Sequence, residues 1–154
     1  MEVKEKFMKL AYAEAQKAYA EDEVPIGCVI VCDEKVIARA HNRKVKKNCA
    51  VHHAEIECIS KACRKLDNWN LKGCELYVTL EPCLMCTGAI INSRIDAICF
   101  GCKDPKGGAL VSNVKLKKIS GLNHYPEING GVMEKECADI LKDFFKHKRK
   151  VLPR

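Results

Sequence analysis

Long apolar runs are missing from this chain, aromatics are few, and nothing in it repeats. No stretch approaches the roughly 20 apolar residues that a helix needs to span a bilayer. Met1 to Lys9 alternates charged and apolar residues without the apolar segment of a signal peptide, so neither a membrane nor a secretory role is expected. Only nine residues are Phe, Trp or Tyr, which argues against an extended platform stacking base after base of a single strand. Internal repeats, low-complexity tracts and linker-like segments are also absent, and 154 residues are most simply one domain, residues 1–154. A chain of this size buries roughly 68–70% of the surface its unfolded form exposes, enough for a core without covalent staples. Cysteine is plentiful at eleven residues, yet the number is odd and the spacing irregular. Cys28, Cys32 and Cys99 lie in apolar runs, where a free thiol behaves as a small buried hydrophobe. That usage points to a reducing, cytoplasmic compartment rather than a disulfide scaffold.

Basic residues are in excess, 27 against 20 acidic ones for a net charge of +7, a balance suited to an anionic partner. Apolar residues recur at helical spacing from Lys4 to Glu21 (Phe7, Leu10, Ala11, Ala15, Ala18, Tyr19). Ile26 to Cys32 is an apolar, β-branched run that reads as a buried strand, Asp33-Glu34 as a hairpin turn, and Val36 to Ala40 as the returning strand. Arg43 to Asn48 is a basic loop. A helix is expected over His52 to Leu66, a strand over Glu75 to Leu80, and a helix from Pro82, at home in a first turn, to about Asn92. A strand over Ala97 to Gly101, a polar loop over Lys103 to Gly108 and a short edge strand within Glu127 to Val132 follow; a helix over Glu134 to Arg149 closes the order. Strands alternating with helices imply helices on both sides of one sheet, made mixed by the opening hairpin.

Two segments carry the chemistry. His53-Ala54-Glu55 and Pro82-Cys83-Leu84-Met85-Cys86 supply one imidazole and two thiols. That is the donor set of a catalytic zinc, with a fourth position left open. Both sets fall near expected helix starts, where unpaired N–H groups favour thiolate. Glu55 sits beside the metal without being needed as a ligand, which suits a proton carrier. Either motif alone means little; the conjunction resembles the H-x-E…P-C-x-x-C signature of zinc-dependent nucleobase deaminases. Two alternatives stay open at this point. His52 could ligate in place of His53. Cys99-Phe100-Gly101-Cys102 could join Cys83 and Cys86 in a closed four-cysteine site, although that leaves His53 and Glu55 idle.

The chain resembles the bacterial tRNA adenosine deaminases of the cytidine deaminase-like superfamily over nearly its whole length. The resemblance rests on the metal motifs together with Glu23-Val24-Pro25-Ile26-Gly27, His41-Asn42-Arg43, Leu76-Tyr77-Val78-Thr79-Leu80-Glu81, Ser93-Arg94-Ile95, Asp104-Pro105-Lys106-Gly107-Gly108-Ala109 and Leu122-Asn123-His124. It implies a three-layer α/β/α cytidine deaminase-like fold with a mixed five-stranded sheet. It also implies a homodimer with one Zn2+ per subunit, held by His53, Cys83 and Cys86, and hydrolysis of the wobble adenosine of a tRNA anticodon loop to inosine with Glu55 as proton shuttle. By the same resemblance Asn42 would bond the flipped purine, Asp104 and Asn123 would contact the anticodon-loop backbone, and Phe145, Lys146, Lys148 and Arg149 would meet the RNA from the last helix. The departure lies at Cys49-Ala50-Val51-His52, where the family carries Asp-Pro-Thr-Ala or a close variant; His52 adds a ring near the site. Free-base guanine or cytosine deaminases share the metal motifs, and a non-catalytic zinc-bearing RNA-binding module is the alternative from another class. Independently of the family, Phe145 to Arg154 holds Lys146, Lys148, Arg149, Lys150 and Arg154 and no acid, and Lys44, Lys46 and Lys47 follow Asn42. Such clusters are the electrostatic footprint of a phosphate-binding surface.

Overall fold

A computed structural model describes residues 3–151, with side chains described for residues 4–148. The order is α1 (Val3–Ala20), β1 (Gly27–Cys32), β2 (Lys35–His41), α2 (Ala54–Leu66), β3 (Cys74–Leu80), α3 (Leu84–Asn92), β4 (Ala97–Cys102), a single 3-10 turn (Leu116–Lys118), β5 (Glu127–Asn129) and α4 (Glu134–Val151). One sheet runs β2-β1-β3-β4-β5. β1 is antiparallel to both β2 and β3, while β3, β4 and β5 are parallel. Among the described residues no helix is long and apolar enough to cross a membrane.

Alternation along the strands makes two cores. Cys28, Ile30, Leu76, Val78, Ile98 and Phe100 face α2 and α3, where Ala54, Cys58, Ala62 and Ile90 meet them. Their neighbours Val29, Val31, Tyr77 and Cys99 face the opposite way, against Phe7, Met8 and Ala11 of α1 and Cys137 of α4. The period-2 reversal of side chains in a strand buries both faces of the sheet, so the central strands read as continuous apolar runs. The three-layer α/β/α arrangement with a mixed five-stranded sheet is thus present.

The hairpin turn is as expected: Asp33 and Glu34 both take positive φ, 51° and 62°, the pattern of a two-residue type I′ connection whose twist matches the strands. Most element ends shift by one or two residues from the sequence expectation, and three of the shifts have a local reason. α2 starts at Ala54 rather than His52, because His53 is extended (ψ 156°) and is the N-cap. α3 starts at Leu84 rather than Pro82, because Cys83 (ψ 176°) is the N-cap and Pro82 lies outside the helix. β5 stops at Asn129 rather than Val132. Gly130 there lies flat on the Phe100 ring, where a methyl would overlap it, and Gly131 turns the chain with φ 83°.

Close approach of α1 to the sheet needs small residues on both sides. Ala11 and Ala15 are fully buried opposite Gly27, and a methyl at Gly27 would overlap the Ala11 carbonyl and the Ala15 amide. Gly27→Ala is expected to destabilise the chain by about 2–3 kcal/mol, the upper range for forcing a methyl into a packed interior. Urea unfolding checks this: the midpoint should fall while the slope stays constant.

Candidate metal centre and active site

The N-termini of α2 and α3 lie together on one face of the sheet, and each is capped by a residue of unusual type. N-caps are normally Ser, Thr, Asp or Asn, whose oxygens accept the orphan N–H groups of the first turn. Here His53 and Cys83 hold those positions and neither side chain caps its helix. Their carbonyls accept the first helical bonds, from Glu57 N–H (3.1 Å) and Thr87 N–H (2.9 Å). The imidazole and the thiol are therefore free to turn toward each other, and Cys86 joins them from the first turn of α3.

His53 Nδ1 lies 3.7 Å from Cys83 Sγ and 3.5 Å from Cys86 Sγ. One donor atom from each residue falls within 4.8 Å of the others, a group that could hold a metal ion. Bond lengths of about 2.0–2.1 Å to nitrogen and 2.3 Å to sulfur at tetrahedral angles put the two atoms about 3.5 Å apart, so the spacing fits a four-coordinate ion of zinc's dimensions. The donor chemistry agrees. The Cys83 thiol is pulled down to about 3, first by the Cys86 hydrogen bond and then by His53. Cys86 is pushed upward in return, by the Cys83 sulfur and by burial. The pair holds one thiolate beside an imidazole that Cys83 biases toward its protonated form, an arrangement that a divalent cation would displace protons to occupy.

Glu55 is 4% exposed and lies two residues along the chain from His53. Burial pushes its carboxyl up to about 7, against its own backbone N–H and the nearby His53. A carboxyl that can hold or release a proton near neutrality, next to a metal donor set, is suited to general acid–base work.

The alternatives left open by the sequence separate clearly. His52 turns away from the cluster, its Nε2 3.4 Å from Glu57 Oε2. Cys99 belongs to the opposite core and Cys102 donates to the Thr79 carbonyl (3.6 Å), so a closed four-cysteine site does not form.

Of the remaining sequence candidates, some converge and some do not. Asn42 is 6% exposed and its Oδ1 has no hydrogen-bond partner among the described residues, a costly state unless a ligand donates to it. It is held at the end of β2 by its N–H to Ile26 O (3.0 Å). The neighbouring His41 ring lies between Glu14 Oε1 (2.9 Å) and Glu21 Oε1 (3.2 Å). Asp104 and Phe145 share one groove of about 740 Å³ at the carboxyl ends of β3 and β4, with Leu80 in its wall and Lys103, Lys106 and Lys142 around it. Lys146 is exposed. Lys148 is committed elsewhere: its Nζ is 2.5 Å from Asp22 Oδ2 and lies over the Phe144 ring, fastening α4 to the end of α1. Asn123 is exposed on the loop before β5, and among the described residues no hydrogen bond ties it to the groove. The side chains of Arg149, Lys150 and Arg154 lie outside those described.

Two buried carboxylates escaped the sequence reading as structural groups. Glu23 (2% exposed) accepts the backbone N–H groups of Val45 (3.1 Å) and Lys46 (2.6 Å) and so pins the basic loop after Asn42. Glu81 (2% exposed) does the same for the loop that carries Asp104. The available signal was an acid at the end of an apolar strand, Thr79-Leu80-Glu81-Pro82, since a buried carboxylate must find donors.

The chain is similar to known proteins over nearly its whole length. Residues 2–149 match the family model of the MafB19-like deaminases. The tRNA-specific adenosine deaminase of Bacillus subtilis (strain 168) is 45% identical over 146 residues, covering 95% of this chain and 91% of that protein. A solved structure from work on A-to-I editing by tRNA:A34 deaminases at the wobble position of transfer RNA superposes with a TM-score of 0.86 at 47% identity, over 88% of this chain and 99% of that one. The guanine deaminase of Nitrosomonas europaea superposes with a TM-score of 0.77 at 23% identity, over 91% of this chain and 83% of that one, and shares the fold alone. With the His-Cys-Cys cluster and its flanking glutamate in place, this chain belongs to the deaminases, in the family of the tRNA-specific adenosine deaminases.

Proposed function

We propose that this chain hydrolyses adenosine to inosine at the wobble position of a tRNA anticodon loop, with His53, Cys83 and Cys86 holding one zinc per subunit. The observation that carries the reading is the cluster itself: one imidazole and two sulfurs within bonding distance of a common ion, with a buried carboxyl alongside. Bound zinc would supply a water acidified toward neutrality, as in zinc hydrolases where its pKa falls to about 7. Glu55 takes a proton from the attacking water and returns it to the amino nitrogen that leaves C6 as ammonia. Asn42 Oδ1 accepts a hydrogen bond from the extruded base. A base in a loop is already partly unstacked, which lowers the cost of placing it there.

The surroundings favour RNA over a free base. The groove at the carboxyl ends of β3 and β4 is apolar along Leu80 and Phe145 and lined by three lysines, which suits a nucleotide with its phosphate. Asp104 orients the loop backbone there, and Lys146 and Arg149 add charge from α4, with Asn123 a peripheral contact. Val51 and Leu84, close in the chain to His53 and Cys83, are 51% and 65% exposed, which supports a homodimer that covers them. None of the eleven cysteines is in a disulfide, in keeping with a cytoplasmic setting.

Glu55→Gln should retain one zinc per chain and bind tRNA with a Kd within about twofold, yet lose inosine formation by a factor of roughly 10²–10⁴, the usual contribution of a proton-transfer group. Nucleoside analysis of digested tRNA reads this directly, and wild-type-like turnover would remove Glu55 from the reaction. The last helix separates into two kinds of lysine. Lys146→Gln should lower the slope of log binding constant against log salt by about 0.7–0.9, one phosphate contact. Lys148→Gln, taken from Asp22, should leave that slope unchanged.

A further inference from the structure

We propose that Glu81 is a positioning residue for the substrate: a buried carboxylate around which the 104–112 loop is wound, so that the wall of the RNA groove is set from the residue next to the metal-binding Pro82-Cys83 turn. The inference rests on the RNA-deaminase reading above and assigns the device that shapes its groove.

Five donors converge on this one side chain. Oε2 accepts three successive backbone N–H groups, from Leu110 (3.0 Å), Val111 (2.8 Å) and Ser112 (3.0 Å). Oε1 accepts the Asp104 N–H (3.1 Å) and the Ser112 hydroxyl. The main chain repeats the connection: Glu81 N–H donates to Cys102 O (2.9 Å), and Ala109 N–H donates to Pro82 O (2.8 Å). The loop lies so close that a methyl on Gly108 would overlap the Glu81 carboxyl carbon. Burial alone would raise this carboxyl, but the Ser112 hydroxyl and the backbone N–H groups together hold it below the usual carboxylate range.

The loop so held is not generic surface. Its first turn is closed by Asp104, whose Oδ1 accepts the N–H groups of Lys106 and Gly107 (both 3.2 Å). Lys103, Asp104, Lys106 and Gly107 form one wall of the groove, opposite Leu141, Lys142 and Phe145 of α4. No helix or strand spans residues 103–115; Glu81 supplies the organising centre that secondary structure would otherwise provide. Because Glu81 itself is buried and lacks free acceptor capacity, it acts on RNA only through the loop.

Glu81→Gln replaces one acceptor oxygen with a donor, so the convergent N–H groups lose their partner. The expected result in zinc-loaded protein is a KM for tRNA raised about tenfold or more, with kcat within about twofold, the pattern of lost uniform binding. Zinc content stays at one per chain, and hydrogen exchange accelerates at Leu110 to Ser112 but not in α2. Ser112→Ala removes one donor and should raise KM in the same direction by less. Gly108→Ala, which presses on the carboxyl from the loop side, should also raise KM and serves if Glu81→Gln fails to fold. Loss of zinc together with a fall in kcat would place Glu81 in support of the metal helix and overturn the proposal, as would an unchanged KM in the folded variants. A wild-type protein that forms no inosine in tRNA would instead sink the function on which the proposal rests.

Discussion

The meeting of two helix N-termini over one end of the sheet is the constraint on which the site depends. α2 and α3 must start side by side for His53 to face Cys83 and Cys86 at 3.5–3.7 Å. Their placement is set by Ala54, Cys58, Ala62 and Ile90 packing on the alternate residues of β1, β3 and β4. Small side chains on α2 let it lie close to the sheet. Using ligands as N-caps leaves the first-turn N–H groups uncapped by side chains, and their dipole ends favour the negative charge that a cation then neutralises.

Around this rigid centre the loops are held by charge rather than by apolar contact. Glu23 secures the loop after Asn42, Glu81 secures the loop with Asp104, and His41 between Glu14 and Glu21 fixes the end of β2. Buried carboxylates are unfavourable unless fully bonded, and each of these has its donors. The first two of these loops also carry Lys44, Lys46, Lys47, Lys103 and Lys106, so part of the positive surface is mounted on hydrogen-bonded backbone. Lys148 pairs with Asp22 and lies over the Phe144 face, so its charge also joins α4 to the end of α1.

Much of this was legible in the chain itself. Apolar, β-branched runs gave the strands, the helical spacing of Phe7, Ala11, Ala15 and Ala18 gave α1, and the two motifs pointed to His53, Cys83 and Cys86, which the fold brings into one cluster. What the chain did not disclose were long-range pairings. Glu81 finds donors about thirty residues away and Lys148 an acid 126 residues back, separations at which local pattern carries no information. The helix starts were misplaced for a related reason. His53 and Cys83 have no capping chemistry, so nothing local marks them as caps, and Pro82 reads as a first-turn residue when it precedes the cap.

X-ray absorption at the zinc edge of the metal-loaded protein tests the centre most directly. The account predicts one nitrogen at about 2.0–2.1 Å, two sulfurs at about 2.3 Å and one light-atom scatterer completing four-coordination. A shell of four sulfurs, or one without nitrogen, would mean that His53 is not a ligand and that the fourth position is closed, and the hydrolytic chemistry assigned to this site would be contradicted.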